Sequence, residues 1–263
     1  MQERHQNRKQ YFCELAETSR AFYMDYLKPY KALTPETKVL EIGCGEGGNL
    51  LPFAELGCTV KGVDICDGRI EQAREFFEMF GQKGTFECEN FIEAKKPESE
   101  EERYDIVLVH DVIEHIEPPY KENFITNIQP FMKQDGIVFF GFPAWQMPFG
   151  GHQQICKGFA SKMPFIHILP KFLYRAILKL SGEGPSCIRE LMSIKRAQVS
   201  IERFERLCKE TNFQIVHRKL WFINPHYQQK FNLKPRVLSP FLAKIPYFRN
   251  FYTTSAFYLL KKN

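Results

Sequence analysis

Residues 38–64 read KVLEIGCGEGGNLLPFAELGCTVKGVD, and this stretch decides the fold of the chain. It begins with an apolar run typical of a strand, at 38–42, and continues with a glycine-dense turn, at 43–48. Helical spacing follows, and a second strand-like run ends on Asp64. A strand, a tight turn, a helix and a second strand that ends on a carboxylate form the layout that holds an adenosine group, whose ribose hydroxyls the carboxylate can bind.

The glycine pattern by itself fits two ligands. Gly43, Gly45 and Gly48 spell the G-x-G-x-x-G of dinucleotide sites, while Gly43, Gly45 and Gly47 spell the G-x-G-x-G of S-adenosylmethionine sites. Glu41 separates the two, because a carboxylate near the end of a buried strand is costly unless a polar or cationic group meets it. S-adenosylmethionine offers an ammonium and a sulfonium, whereas a pyrophosphate would be repelled. The pattern therefore favours S-adenosylmethionine.

Three motifs carry a resemblance to a known family. They are EIGCGEG at 41–47, VKGVD at 60–64 and YDIVLVHDVIEHI at 104–116. Together they resemble the class I S-adenosylmethionine-dependent methyltransferases, and within them the small-molecule group that includes the ubiquinone-biosynthesis O-methyltransferases. The resemblance covers residues 36–143 strongly and 199–221 more weakly. It implies the fold and the cofactor, but it does not imply the substrate.

The order of strand-like and helix-like segments predicts an α/β fold. Helices that alternate with apolar strands indicate right-handed crossovers and a Rossmann-like, doubly wound, mostly parallel sheet with helices on both faces. The resemblance implies seven strands, with an antiparallel last strand inserted between strands five and six. Beyond the opening stretch, we expect strands at 85–88, 104–109, 136–141, 213–222 and 255–260, and helices at 67–80, 119–132 and 200–211.

Two long connections predict a lid. Both follow strands at the ligand-bearing edge, and both are rich in Phe, Trp and Tyr, which argues against disorder. We therefore expect one catalytic domain with four parts: an N-terminal helical cap at 1–35, a cofactor-binding core at 36–143, a lid insertion at 144–198, and a C-terminal part of the core at 199–263 with a second lid loop at 224–252.

The resemblance also implies which residues hold the cofactor. In the family, an acidic or amide residue after the third strand bonds the adenine amine and an apolar neighbour packs on the ring. Asn90 and Phe91 match these positions, and Glu89 takes the first role if the register slips by one. The expected cofactor-binding residues are Glu41, Gly43, Cys44, Gly45, Gly47, Asp64, Ile65, Asn90, Phe91, Val109 and His110.

Methyl transfer from a sulfonium is an in-line displacement in which the protein mainly aligns the reactants and excludes water. A phenol or alcohol must also lose a proton, and histidine is the natural base near neutral pH. His115 at the tip of strand four and His152 in the lid are the catalytic candidates, although His115 can instead be a structural residue. Trp145, His152 and His167 are the substrate candidates, and His167 can equally be a buried core histidine.

No metal site is predicted. Asp111, Glu114 and His115 spell D-x-x-E-H, but the H-x-x-E-H pattern of a zinc enzyme would need histidine at 111. Eight cysteines are scattered without a C-x-x-C pair, so we expect reduced thiols and no disulfide or zinc framework.

The composition limits the partners. The formal net charge of +5 permits an anionic surface but is too small to indicate nucleic acid. Aromatic and basic residues interleave over 230–252, which suggests transient contact with an anionic membrane surface, unless those aromatic side chains simply pack on the sheet. No obligate protein partner is indicated. A polar N-terminus and the lack of a long apolar run predict a cytoplasmic protein.

We therefore expect an S-adenosylmethionine-dependent methyltransferase that acts on a small-molecule or lipid-type acceptor, with O-methylation favoured. A macromolecule methyltransferase is the alternative, but it calls for a denser basic face, a recognition domain or an N-P-P-Y type motif. Residues 117–120 read EPPY, with Glu117 where that motif needs Asn or Asp. A catalytically silent scaffold is the third interpretation, which the intact turn with Glu41 and Asp64 disfavours.

Overall fold

The computed structural model describes residues 7–263. Its strands are β1 (Lys38–Ile42), β2 (Thr59–Asp64), β3 (Thr85–Cys88), β4 (Tyr104–His110), β5 (Met132–Phe142), β6 (Phe213–Ile223), β7 (Arg236–Val237) and β8 (Ser255–Lys262). They form one sheet in the order β3-β2-β1-β4-β5-β8-β6-β7. The first five strands are parallel, and β8 is antiparallel to both of its neighbours, β5 and β6. The predicted fold class is confirmed, and the eighth strand is the two-residue β7 in the second lid loop.

Helices cover both faces of this sheet and build the lid. They are α1 (Arg8–Thr18), α2 (Met24–Leu27), α3 (Leu51–Glu55), α4 (Asp67–Met79), α5 (Lys121–Thr126), α6 (Lys171–Leu180), α7 (Pro185–Ala197), α8 (Ile201–Glu210), α9 (Tyr227–Phe231) and α10 (Pro240–Ala243). Ser200 caps α8, because its side chain accepts a hydrogen bond from the backbone N–H of Arg203. Among residues 7–263, no helix is both long and apolar enough to cross a membrane.

The helix predicted over 119–132 is much shorter than expected. Only α5 is α-helical there, short 3₁₀ turns flank it, and β5 already begins at Met132. Pro130 interrupts the backbone hydrogen bonding of a helix at this point. The strand can begin early because the pairing with β4 shifts register between Tyr104 and Ile106, which lets the polar residues 133–135 bulge outward.

A π turn at Ser19–Tyr23 joins α1 to α2 without breaking the helical path. π turns insert an extra residue into a helix and recur at functional sites. Tyr23, the last residue of this turn, packs on the central strands, and its hydroxyl lies 2.8 Å from Nε2 of His110. The N-terminal helix is therefore fixed directly to the carboxyl end of β4.

The core consists of two layers on the sheet and a third cluster in the lid. One layer lies under α5 and α8, and the other lies under α1, α3 and α4. The lid cluster includes Trp145, Cys156, Tyr174, Leu178 and Leu191, all buried against one another. Residues 144–198 thus have an apolar core of their own, while the boundaries of the four predicted parts stay a prediction.

Candidate active site

The turn after β1 has a backbone that only glycine adopts easily. Gly43, Gly45 and Gly47 have positive φ values of 72°, 52° and 80°. A Cβ on Gly43 would also lie 2.4 Å from Cγ2 of Val112, so the packing leaves no room for a side chain at this position. At its three glycines the turn therefore presents bare main chain at the carboxyl end of β1.

Asp64 ends β2 and holds the two loops beside it together. Its Oδ2 accepts a hydrogen bond from the backbone N–H of Gly45, and its Oδ1 accepts one from that of Cys66, both at 2.9 Å. A carboxylate oxygen can accept more than one hydrogen bond. Asp64 can therefore keep these bonds and still bind the hydroxyls of a ligand.

Glu41 lies beneath the glycine turn and is only 1% exposed. The side-chain amide of Asn49 donates to Oε1 at 2.7 Å, while Oε2 is buried and has no hydrogen-bond partner among the described residues. Burial raises the pKa of Glu41 to about 8. A cationic or hydrogen-donating ligand above the turn would relieve that cost.

A first cavity of about 450 Å³ opens beside this turn, at the carboxyl ends of β1, β2 and β4. Five of the residues predicted to bind the cofactor line it: Gly43, Asp64, Ile65, Asn90 and Phe91. It lies where the strand order reverses between β1 and β4, which is where open α/β sheets bind ligands. The space and its lining suit an adenosine group.

The far end of the first cavity is formed by the residues that follow β3. Asn90 caps a short 3₁₀ turn, with Oδ1 accepting from the N–H of Ile92 and Nδ2 donating to Glu93. Phe91 is buried beside it. Glu89 lines the same cavity, so the choice between Asn90 and Glu89 as the adenine partner stays open.

A second cavity of about 330 Å³ lies next to the first. Arg69, Asp111 and His115 line both cavities and therefore mark the place where they meet. The lid contributes apolar and polar groups to the second cavity, and α1 and the loop before α9 complete it. Its further lining includes Tyr11, Met147, Phe149, His152, Ile155 and Tyr227.

The two histidines predicted to be catalytic are neighbours in this second cavity. The ring centroids of His115 and His152 lie 5.0 Å apart, with the rings nearly perpendicular. Burial lowers the pKa of both, that of His152 to about 3. A histidine with so low a pKa is a weak general base, so burial disfavours that role for His152. The catalytic role of His115 stays a prediction.

Other predicted cofactor residues lie away from the cavity walls. Val109 is fully buried within β4, and His110 is buried with its Nε2 against the hydroxyl of Tyr23. The ring of His110 also stacks on Phe139, and neither Val109 nor His110 lines the first or the second cavity. In this structure both residues support the tip of β4, and the direct cofactor contacts expected of them stay a prediction. Cys44, Gly45 and Gly47 shape the turn without lining the first cavity.

Trp145 and His167 pack against each other and not against a ligand space. Their rings meet edge to face with centroids 4.7 Å apart, and Nε2 of His167 lies 2.8 Å from the carbonyl oxygen of Trp145. Both side chains are buried, and neither lines the second cavity. The structure thus places His167 in the core of the lid, which is the alternative that the sequence left open, and the substrate contacts expected of both residues stay predictions that this packing does not favour.

Sequence reasoning missed several residues at this site. Arg69, from the first turn of α4, and Asp111 line both cavities, and His226, which the sequence gave no reason to choose, lines the second. Asp111 has a φ of 54°, and a left-handed aspartate directly after a buried parallel strand is the kind of position that marks a ligand edge. His226 gave no such signal, because only the fold brings it beside Thr18 of α1, with Nδ1 3.1 Å from Oγ1.

In comparisons with known proteins, the sequence similarity covers only part of the chain. Residues 39–136 match the family model of a methyltransferase domain. The ubiquinone biosynthesis O-methyltransferase of Actinobacillus pleuropneumoniae serotype 5b is 29% identical over 106 residues, which cover 39% of this chain and 44% of that protein. The mitochondrial enzyme of the same name from Arabidopsis thaliana is 37% identical over 94 residues, covering 35% and 27%. The chain thus spans less than half the length of these curated relatives.

Solved structures share the fold over most of the chain. The magnesium protoporphyrin IX methyltransferase of Synechocystis PCC 6803, crystallised with bound SAH, aligns with a TM-score of 0.57 at 14% identity, covering 95% of this chain and 84% of that one. An S-adenosylmethionine-dependent methyltransferase from Clostridium acetobutylicum aligns with a TM-score of 0.59 at 10% identity, covering 94% and 92%. At such identities the likeness concerns the fold alone.

Proposed function

We propose that this chain, which belongs to the class I S-adenosylmethionine-dependent methyltransferases, transfers a methyl group to a small-molecule or lipid-type acceptor. The observation that carries the proposal is the pair of cavities that meet at Asp111 and His115. The first has the walls of an adenosine site, and the second is closed by the lid. Two ligand spaces with a shared wall suit a reaction in which a group passes from one ligand to the other.

The residues of the first cavity fit S-adenosylmethionine. Glu41 does not line this cavity, but its buried, unpartnered oxygen would attract the cationic methionine part from beneath the glycine turn, and Asp64 would bind the ribose hydroxyls. Asn90 or Glu89 would bind the adenine amine, with Phe91 against the ring. When bound, this cofactor supplies an activated methyl group whose leaving group is neutral.

The second cavity favours a compact acceptor with an apolar part. Met147, Phe149 and Ile155 give it an apolar wall, and Asp111 and His115 give it polar groups at the border with the first cavity. An acceptor oriented by that wall would present its nucleophilic atom at the border, where alignment and exclusion of water supply most of the rate. A hydroxyl nucleophile would find in Asp111 and His115 groups able to take its proton, which supports O-methylation.

A lipid-type acceptor would also account for the exposed face of the lid. Phe172 and Leu180 of α6 are 71% and 79% exposed, and Lys171, Arg175 and Lys179 lie on the same helix. Apolar anchors flanked by cations suit the surface of an anionic membrane. We propose transient contact of α6 with such a surface. Location in the cytoplasm stays a prediction from the sequence.

Calorimetry and a transfer assay test the proposed reaction. We expect S-adenosylmethionine and S-adenosylhomocysteine to bind the purified chain with affinities in the micromolar range, and NAD not to bind. A panel of phenols, catechols and carboxylic acids is then screened for release of S-adenosylhomocysteine. Binding of NAD alone would overturn the cofactor assignment, and cofactor binding without turnover on any acceptor class would favour a silent scaffold.

A further inference from the structure

Two cysteines of the lid lie close together in space. Cys156 follows a short 3₁₀ turn at 153–155, and Cys187 lies in the first turn of α7. Their Sγ atoms lie within 4.8 Å of each other and of a carboxylate oxygen of Glu183. All eight cysteines of the chain are free in this structure. The two are far apart in the sequence, so only folding brings them together.

The two thiols differ in how easily a reagent reaches them. Cys156 is 2% exposed and belongs to the apolar core of the lid, together with Tyr174 and Leu178. Cys187 is half-buried and packs against the same core from the start of α7. A molecule from solvent therefore meets the sulfur of Cys187 first. An accessible thiol with a second thiol beside it is the arrangement in which the second resolves an adduct on the first.

Contacts that do not involve sulfur hold the two cysteines in place. The carboxylate of Glu183 accepts hydrogen bonds from the backbone N–H of Gly158, at 2.8 Å, and from that of Lys157, at 3.2 Å. Gly158 also packs so closely on Ser181 that an added Cβ would lie 2.0 Å from the carbonyl oxygen of that serine. The chain just after Cys156 is thus fixed to the loop that leads into α7. A bond between the two sulfur atoms would join segments that are already held side by side.

We propose that Cys156 and Cys187 form a reversible disulfide, with a low-molecular-weight disulfide of the glutathione type as the oxidant. The thiolate of Cys187 attacks one sulfur of the oxidant, and a first small thiol leaves. The thiolate of Cys156 then attacks the mixed disulfide on Cys187 and expels the second small thiol. Two protein thiols thereby lose two protons and two electrons, and the oxidant takes up both to become two thiols. An S–S bond is about 2 Å long, so the sulfur atoms must approach each other by less than about 3 Å.

The surroundings of the pair favour the disulfide once it has formed. Burial raises the pKa of both thiols, that of Cys156 to about 12, and the negative charge of Glu183 raises the pKa of Cys187 further. Disulfides are strong oxidants where the reduced form is stabilised, as a stable thiolate does. That stabilisation is missing here. We therefore expect the exchange to be slow and the bond to persist until an excess of reductant breaks it.

The bond would act on a wall of the second cavity. His152 and Ile155 lie just before Cys156 and line that cavity. Because α7 is a helix of 13 residues packed in the lid core, whereas 152–156 is a short turn, the turn is the part that moves when the bond forms. We expect this movement to draw the wall toward α7 and to weaken acceptor binding. This last step rests on the proposed function, because it takes the second cavity as the acceptor site.

Redox titration of the full chain tests whether the bond forms. The protein is equilibrated without oxygen in mixtures of reduced and oxidised glutathione, its remaining thiols are alkylated, and its peptides are mapped by mass spectrometry. We expect one linked pair of peptides, joined through Cys156 and Cys187, that appears in a single two-electron transition. Thermal melts establish that each sample is folded. A folded protein that lacks this linked pair in every mixture, or that links a different pair, would overturn the proposal.

Three variants test the roles of the two sulfur atoms. Cys156→Ser should retain one glutathione on Cys187, because the resolving thiol is missing. Cys187→Ser should leave Cys156 without glutathione, because that thiol is buried. Cys13→Ser, at another half-buried cysteine, is the matched control and should form the link as the wild type does. Glutathione on Cys156 in the folded Cys187→Ser variant would contradict the proposed order of attack.

A metal ion is the competing ligand of this cluster, since two thiolates and a carboxylate also bind Zn²⁺. Titration of the reduced, chelator-treated protein with Zn²⁺ separates the two possibilities. We expect no tight site that depends on Cys156. Tight Zn²⁺ binding that Cys156→Ser abolishes would make the cluster a metal site and overturn the proposal.

The reduced and oxidised samples distinguish this inference from the proposed function. Cofactor binding and methyl transfer are measured on both. We expect the disulfide to lower turnover by about tenfold or more, since small displacements at a reacting site have effects of this size, and dithiothreitol to restore it. If the bond forms and turnover is unchanged, the bond does not control the acceptor site, although the methyltransferase function stands. If the bond forms but no cofactor binds, the proposed function fails while the disulfide site remains.

Discussion

Glu41 is a group whose ionisation works against the folded state. Its pKa is raised by burial to about 8, whereas that of a glutamate in an unfolded chain is near 4.3. Below about pH 4 the carboxyl is protonated in both states and costs nothing. Between there and about pH 8 the unfolded state ionises first, so stability is progressively lost as the pH rises. Such a residue is retained at the cost of stability, which is consistent with a role in binding.

Replacing Glu41 by glutamine tests whether its buried carboxylate lowers the stability of the fold. We expect Glu41→Gln to raise the free energy of unfolding by about 2 kcal/mol at pH 8 and much less at pH 5. The same variant should bind S-adenosylmethionine more weakly, because the ligand loses its carboxylate partner. Thermal melts at the two pH values and calorimetry measure both effects. Glu71→Gln, at an exposed position on α4, is the control, and equal melting shifts for the two variants would contradict the assignment.

Asp64 has a structural role, and we propose that the same carboxylate also binds the cofactor. Because it bonds the N–H groups of Gly45 and Cys66, Asp64→Ala should lower stability as well as weaken cofactor binding, the latter by about 1.5–3 kcal/mol. Calorimetry with S-adenosylmethionine and a denaturant titration separate the two losses. Asp67→Ala, at an exposed position three residues on, should change neither by much. Unaltered affinity in Asp64→Ala would remove its ribose role.

In the turn between β1 and α3, the backbone conformation and the packing both require glycine at position 43. Gly43→Ala would place a methyl group against Val112 and force a side chain into a left-handed conformation. We expect it to lose at least about 1 kcal/mol of stability and most of its cofactor affinity. Gly68→Ala is the matched control, since nothing lies within 4 Å of its added Cβ and Gly68 lies in the first turn of α4. If both variants bind the cofactor equally well, the ligand does not lie over this turn.

Helix α6 has one face in the lid core and another in solvent. Tyr174 and Leu178 are buried, while Phe172 and Leu180 are exposed. We expect wild-type protein to cosediment with phosphatidylglycerol vesicles at low salt, and the double variant Phe172→Ser with Leu180→Ser to bind at least about fivefold more weakly. Met79→Ser, which removes an exposed apolar side chain from α4, should bind normally. Equal sedimentation of all three proteins, or none at all, would remove the membrane contact.

Across the whole molecule, the lid and the sheet have separate apolar cores, and residues from both line the two cavities. Lys195 connects several segments of the lid. Its buried Nζ donates hydrogen bonds to the carbonyl oxygens of His167 and Leu169, and it lies 5.8 Å from the ring centroid of Trp145. Both cavities depend on this arrangement, because the lid supplies walls that the sheet lacks. Damage to the lid core should therefore affect the acceptor site more than the cofactor site.

Hydrogen exchange tests that separation. Lys195→Met leaves two buried carbonyl groups without their donor, so we expect faster exchange over residues 144–198 and little change in β1 to β5. Cofactor affinity should stay within about twofold of the wild type. Lys157→Met, at an exposed position in the same segment, is the control. Exchange that rises equally in sheet and lid would show that the two form one cooperative unit.

The sequence by itself determined the sheet and the cofactor turn. Local patterns decide these features: an apolar run gives a buried strand, positive φ at Gly43 and Gly45 needs glycine, and β2 ends on Asp64 because the acid follows directly after the run. The same locality explains the errors. The helix expected over 119–132 failed at Pro130, and the register shift against β4, which let β5 begin at Met132, depends on a partner strand that the local pattern cannot show.

The tertiary structure alone decided which distant residues share the site. His152 lies beside His115 and Glu114 because the lid packs over the end of β4, whereas His167, also a substrate candidate from the sequence, packs its ring against Trp145. His226 enters the second cavity because α1 passes beside it. Each of these contacts joins segments far apart in the chain. These contacts depend on the packing free energy of a whole core, and a short stretch of sequence does not reveal that free energy.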